Sequence, residues 1–276
     1  MTLFIADRPN RIGQLATNAV QAARAAKGIV VAAGGDGTIN TVAQAALGSG
    51  CAFGVLPQGT FNYFSRVHGI SSEPDVALRQ LLSEQARPVQ LGLVNDRVFL
   101  VNASLGLYPK LLEDREAYKK QYGRSRLVAF GAGLMTLMGA HRRWHLAVDA
   151  DGQHRELHTT TLFVGNNALQ MQQIGVPEGE AIDRGMLVAI ALRPVGRLAM
   201  AWLLLRGAVG KLGDAERVVS LPVQTLKVAS TRGHRRVKVA TDGEVAWMRM
   251  PLQFSVAAEP LWLVKPPEEA GLGETA

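Results

Sequence analysis

The chain has 276 residues, 47% of them hydrophobic and 19% charged. That balance excludes a disordered polymer, and the length suffices for two compact domains with cores of their own. The formal net charge is +7 and the isoelectric point about 9.8, which favours polyanionic partners: nucleotides, anionic lipid surfaces or nucleic acid. Nucleic acid is the weakest of these, because aromatics reach only 6% and no zinc-finger or RNP-type motif occurs.

In chain order, the first clear signal is an apolar run over residues 28–33 that stops at Gly34 and Gly35. After Gly37, the residues Ile39, Val42, Ala43, Ala46 and Leu47 recur at helical spacing, and glycines at 48 and 50 supply an exit. The pattern reads as strand, glycine turn, helix. Glycines there let backbone approach a ligand closely, and a new helix turns its free N–H groups toward an anion. Asp36, set among those glycines, suits a magnesium ion or a proton better than a phosphate. A second short strand over residues 52–56 runs into Pro57-Gln58-Gly59-Thr60-Phe61-Asn62 and a helix-like 63–66. Two loops of Gly-Thr-x-Asn chemistry, Gly37-Thr38-Ile39-Asn40 and Gly59-Thr60-Phe61-Asn62, are then expected at the carboxyl ends of neighbouring parallel strands, where open α/β sheets bind ligands. Walker A, Rossmann and protein-kinase signatures do not occur.

Residues 72–75 read as a capped helix start, with Val76, Leu78, Leu81 and Leu82 following. From Pro88 the period changes to that of strands. Residues 89–94 and 97–101 flank Asn95-Asp96 as a hairpin. Further strands are expected at 144–148, 158–164, 186–192, 225–229, 237–240 and 261–264, in a β-rich second domain with helical insertions. The basic stretch from Lys110 to Arg126 fits either a solvated helix face or contact with anionic headgroups. The apolar patterns at 127–138 and 192–209 fit core packing or the walls of a hydrophobic cleft. His141 and His145, with Arg142, Arg143 and Trp144, read as a solvated basic patch, and His154 and His158 as surface residues. No stretch reaches the length of a membrane span. Cys51 is a single cysteine with no partner for an internal disulfide, and no signal peptide is visible, so a cytoplasmic setting is expected.

Gly-Gly-Asp-Gly-Thr followed by Pro-x-Gly-Thr-x-Asn resembles the catalytic domain of the diacylglycerol kinase, sphingosine kinase and bacterial lipid kinase superfamily. Later stations resemble it in order: Asn102-Ala103-Ser104-Leu105-Gly106, Val164-Gly165-Asn166, Asp183-Arg184-Gly185-Met186-Leu187 and Asp242-Gly243-Glu244. The resemblance implies an α/β plus β, two-domain fold. Its parts are a three-layer α/β nucleotide-binding domain over 1–87, a β-sandwich-like lipid domain over 88–258, a last strand at 259–266 returning to the first domain, and a tail at 267–276.

It implies an ATP- and Mg²⁺-dependent kinase acting on a hydroxyl of diacylglycerol or a related lipid, peripheral to the inner face of the membrane. Gly34, Gly35, Gly37, Thr38, Asn40, Gly59, Thr60 and Asn62 are the expected nucleotide residues. Asp36 and Glu244 are the expected catalytic carboxylates, with Asp183 and Asp242 as candidate metal residues. The alternatives are a NAD kinase-like enzyme and a catalytically weak lipid-binding or regulatory protein.

Two departures stand out. Tyr63 occupies the place of a usual Asp, and no opening strand with Asn-Pro-x-Ser-Gly is present. Residues 1–6 are therefore placed as the family's second strand and 12–26 as the helix after it. The chain is expected to be a shortened form lacking roughly 30 residues, one strand–helix–strand increment.

Overall fold

A computed structural model of the protein describes residues 1–107, 109, 143–194, 196, 202 and 218–267. The sequence readings at Lys110–Arg126, at 127–138, at His141 and Arg142, at most of 192–209 and through most of the tail lie outside those residues. The chain divides into two compact units, Met1–Leu91 with Ala257–Ala276, and Gly92–Val256.

The first unit begins with helix α1 (Ile12–Ala25), strand β1 (Ile29–Gly34), helix α2 (Asp36–Ala46) and strand β2 (Ala52–Pro57). β1 and β2 pair in parallel, from Ile29↔Ala52 to Gly34↔Pro57. Alternation in β1 is that of a sheet strand. Val30 and Ala32 are buried, whereas Ile29 and Val31 stay exposed on the other face. Short helix α3 (Tyr63–Val67) and helix α4 (Pro74–Ser83) follow, then strand β3 (Ala86–Val89). Pro74 fits the first helical turn, where no N–H is needed. The unit's sheet runs β1-β2-β16-β3, and β16 (Leu261–Val264) lies parallel to β2 and antiparallel to β3.

One expectation fails here. Residues 1–6 form no strand, and Leu3 and Ile5 are exposed. A strand exists through its ladder partner, and among the described residues β1 pairs only with β2. Helix α4 forms where its pattern predicts but buries Ala77, leaving Val76, Leu78 and Leu82 exposed. Its contact with the sheet runs through Leu81, which lies over Gly54 beside Ile29 and Val31.

The second unit is an antiparallel β-sandwich with a hairpin at its start. Strands β4 (Gly92–Val94) and β5 (Arg97–Phe99) turn at Asn95-Asp96, with Asn95 in the left-handed region. β6 (Asn102–Gly106), β7 (Trp144–Ala150), β8 (Gln153–Thr159), β9 (Thr161–Gly165) and β10 (Leu187–Leu192) follow. The last five are β11 (Val218–Val223), β12 (Thr225–Ser230), β13 (Arg236–Thr241), β14 (Glu244–Arg249) and β15 (Leu252–Val256).

One sheet is ordered β11-β10-β9-β6-β13-β14 and the other β5-β4-β15-β12-β7-β8. Leu105, Val164, Leu187 and Val239 from the first meet Leu146, Val228, Leu252 and Phe254 from the second in one core. The outer face of the first sheet carries helix α5 (Ala168–Gln173) and a 3₁₀ helix (Pro177–Arg184) around Met171 and Ile182. The single strand expected over 158–164 is two strands, separated at Thr160, whose N–H donates to Leu192 O. Residues 89–94 likewise split. Val89 ends β3 in the first unit and Gly92 opens β4 in the second.

Asp242 holds the second unit's hairpin turn in place. Asp242 (φ 48°) and Gly243 (φ 91°) form the two-residue turn between β13 and β14, the geometry that matches strand twist and favours Asp-Gly. The Asp242 carboxylate accepts N–H bonds from Leu100 (2.7 Å), Val101 (2.8 Å) and Asn102 (3.0 Å). The bend between β5 and β6 is thereby tied to the turn. Asp242→Asn replaces one acceptor oxygen with a donor while tolerating the same backbone conformation. It is expected to lower unfolding free energy by about 1–3 kcal/mol, read by urea denaturation with an unchanged slope.

Candidate functional site

Parallel pairing of β1 with β2 ends at Gly34↔Pro57, so both glycine loops leave the sheet at one level. Gln58 N–H donates to Gly34 O at 2.8 Å and closes the first step between them. Gly35 caps α2 in an extended conformation (φ −82°, ψ 178°). The first intrahelical bond runs from Ile39 N–H to Gly35 O. The amides of Asp36, Gly37 and Thr38 precede it, the set that a helix N-terminus offers to an anion.

The two loops touch through glycine. A Cβ on Gly59 would fall 3.1 Å from Gly35 Cα and 2.7 Å from Asn62 Oδ1. Asn62 sits in the left-handed region (φ 47°) and is buried. Its Oδ1 accepts from Gly59 N–H at 2.9 Å and its Nδ2 donates to Gly59 O at 3.0 Å. Asn62 therefore shapes its own loop, while Thr60 remains exposed and Asn40 lies one turn into α2.

Asp36 joins the loops electrostatically. Burial pushes its carboxyl above the ordinary aspartate range, and a hydrogen bond from the Asn62 backbone opposes that shift. Its Oδ1 is buried without a hydrogen-bond partner among the described residues. A buried carboxylate oxygen left unpaired is costly. It fits a hard cation or a proton from a ligand, so the donor set is suited to Mg²⁺ beside phosphates.

The other predicted residues belong to the second unit. Glu244 opens β14, is largely exposed, and pairs with Arg97 (Nη2–Oε2 3.0 Å). Arg97 was not singled out from sequence. Its only signal is its place, first in the strand after the Asn95-Asp96 turn. Asp242 stands two residues before Glu244 with its carboxylate held by three amides. Asp183 lies in the 3₁₀ helix before β10.

Nearby, Asn102 Nδ2 donates to Gln170 Oε1 at 3.1 Å, whereas Asn102 Oδ1 and Ser104 Oγ are buried without partners among the described residues. Asn166 Nδ2 donates to Leu100 O at 3.2 Å, and Asn167 Oδ1 accepts from Gln170 N–H at the start of α5. Among the described residues, no group of three or more His, Cys, Asp or Glu is arranged to hold a metal ion.

Residues 2–94 match the family model of the diacylglycerol kinase catalytic domain. A probable lipid kinase YegS-like of Pseudomonas aeruginosa strain UCBPP-PA14 is 43% identical over 105 residues, 37% of this chain and 34% of that protein. An uncharacterized protein of Synechocystis is 26% identical over 226 residues, covering 78% of this chain and 50% of its own length. The aligned regions thus span between a third and a half of these relatives. Among solved structures, a diacylglycerol kinase from Bacillus anthracis superposes with a TM-score of 0.65 at 17% identity, covering 95% of this chain and 84% of that one. A putative diacylglycerol kinase from the same organism gives 0.68 at 19% identity, covering 91% and 83%. The match over residues 2–94 and the similarity of fold together bear out the resemblance to the diacylglycerol kinase and bacterial lipid kinase superfamily.

Proposed function

We propose that this chain is an ATP- and Mg²⁺-dependent lipid kinase that transfers a γ-phosphoryl group to a hydroxyl of diacylglycerol or a related lipid. The observation that carries the reading is the pair of glycine loops meeting at Gly35 and Gly59 around the unpaired Asp36 oxygen. Phosphoryl transfer needs positioning, charge neutralisation and a group that takes the hydroxyl proton. Gly34, Gly35, Gly37, Thr38 and Asn40 on one loop, with Gly59, Thr60 and Asn62 on the other, hold the nucleotide phosphates through amides and hydroxyls. Mg²⁺ would supply charge neutralisation when bound, and the Asp36 carboxylate would hold it from the first unit. Asp183 and Asp242 are proposed to organise that metal, Asp242 through the turn it braces.

Glu244 is assigned the general base on the lipid hydroxyl, and Asp36 shares that role. Arg97 orients the Glu244 carboxylate. The positive net charge supports peripheral contact with an anionic inner membrane face. No described helix is long and apolar enough to cross a membrane.

Asp36→Asn and Glu244→Gln are each expected to reduce lipid phosphorylation about a hundredfold or more, measured with labelled ATP across a panel of lipids. Full activity in both folded variants overturns the assignment.

Asp36→Asn carries a second expectation, on stability. The raised carboxyl pKa means that the folded chain binds this proton more tightly than the unfolded chain. The stability it contributes is fully present below the unfolded pKa and lost as pH rises through the folded one. At neutral pH the ionised group opposes folding, so Asp36→Asn should melt at the same temperature as the parent or higher. That advantage should shrink as pH falls toward about 4, which thermal scans across pH can follow.

A third expectation concerns the loop contact. Gly59→Ala should weaken Mg-ATP binding about tenfold or more by calorimetry, because its methyl would push on Gly35 backbone. Gly13→Ala, with nothing within 4 Å of the added methyl, should leave binding unchanged.

A further inference from the structure

A cavity of about 670 Å³ opens where β7 begins, lined by Arg143, Trp144, His145, Arg232 and His234. All five belong to the second unit. β7 supplies Trp144 and His145, Arg143 immediately precedes it, and the turn between β12 and β13 supplies the others. The turn is fixed to the strand by two bonds onto His145 O, from Thr231 N–H and Thr231 Oγ1, each 3.1 Å. Ser230 Oγ meets His234 Nδ1 at 2.9 Å, and the His234 ring packs edge-on against buried Trp144 with centroids 5.5 Å apart. One wall therefore carries an aromatic pair, and the His234 ring is held by a local hydrogen bond. The sequence predicts a solvated basic patch around His145. Its register instead folds it around a concave space.

Two guanidinium groups and two imidazoles line this space. From β8, His158 lies opposite His145, with ring centroids 4.3 Å apart. Arg232 Nη2 lies 2.7 Å from His145 Nε2. A guanidinium can only donate, so the imidazole accepts there and carries its proton on Nδ1. Glu156, two pairs further along β8, is the acid that acts on His145.

We infer that this pocket is a binding site for a phosphomonoester dianion. Arginine forks match phosphate oxygens in pairs, and phosphate is large enough to meet both guanidinium groups and an imidazole together. In the chain alone, partial burial first, then the charges of Arg232, His158 and Arg143, hold the His145 imidazole below its ordinary range, against the opposing effect of Glu156. A bound dianion reverses that balance. His145 takes up a proton, releases Arg232 from its Nε2, and both then donate to the ligand. Affinity therefore rises as pH falls through the imidazole range, until the ligand's own second ionisation near about pH 6 limits it. The site stands independently of the kinase reading, because none of its residues is placed in that machinery.

The test is titration of the whole chain with inorganic phosphate by calorimetry, followed by NMR of the histidine ring signals. Saturable binding is expected, with the His145 titration moving to higher pH in the presence of phosphate. Arg232→Gln and Arg143→Gln should each weaken binding about tenfold. Arg24→Gln, an exposed arginine on α1, should leave it unchanged, and all three should melt as the parent does. Sedimentation with phosphatidylcholine vesicles, with and without phosphatidic acid, separates the sources. Binding to phosphatidic acid vesicles that phosphate competes away assigns a lipid headgroup, whereas phosphate binding without vesicle binding assigns a soluble phosphate ester. No saturable phosphate binding, or equal loss in Arg24→Gln, overturns the site.

Discussion

The in-register parallel pairing of β1 with β2 is the constraint on which the first unit's chemistry depends. It ends both strands at one level, Gly34 beside Pro57, and so delivers two loops to the same point. Glycine at 35 and 59 then allows contact at a distance no side chain would permit. Asn62 reinforces the geometry by closing its own loop and donating its backbone N–H toward Asp36. A one-residue slip of β2 would carry Gly59 away from Gly35 and turn its side chains to the opposite faces.

Two aspartates show how burial and hydrogen bonding divide the work. Asp36 is half-buried, with one carboxylate oxygen buried and unpaired among the described residues, and its charge is disfavoured. Asp242 is saturated by three backbone amides and braces a hairpin. The first stores an unmet electrostatic demand that a ligand can satisfy; the second spends its lone pairs on architecture. Both follow an apolar strand and adjoin a glycine in sequence, so composition alone does not separate them. Glu244 differs again, exposed at a strand start with an arginine partner from a neighbouring hairpin.

The sandwich of the second unit positions its polar residues by alternation. Ala103 and Leu105 of β6 face the core, so Asn102 and Ser104 face the other side of the sheet, beneath α5 and the 3₁₀ helix. The same rule on β7 buries Trp144, Leu146 and Val148 and turns His145 outward toward His158. A basic stretch that reads as featureless surface becomes a lined cavity because a distant turn, 231–235, docks onto its first strand.

The amino-acid sequence by itself determined the local elements whose signals are short-range. The strand–glycine–helix units at β1–α2 and β2–α3, the turn at Asn95-Asp96 and the last strand at Leu261–Val264 follow from apolar period and turn chemistry. Elements whose existence rests on a partner were only partly legible. β8 has a polar, mostly exposed sequence and is a strand because β7 pairs along its whole length. Residues 1–6 carry a strand-like composition and form no strand. The burial that raises Asp36, the three amides on Asp242, the Arg97–Glu244 pair and the walls of the basic cavity were decided only by tertiary structure, since each joins groups that the chain separates by tens of residues and that only packing brings within hydrogen-bond reach.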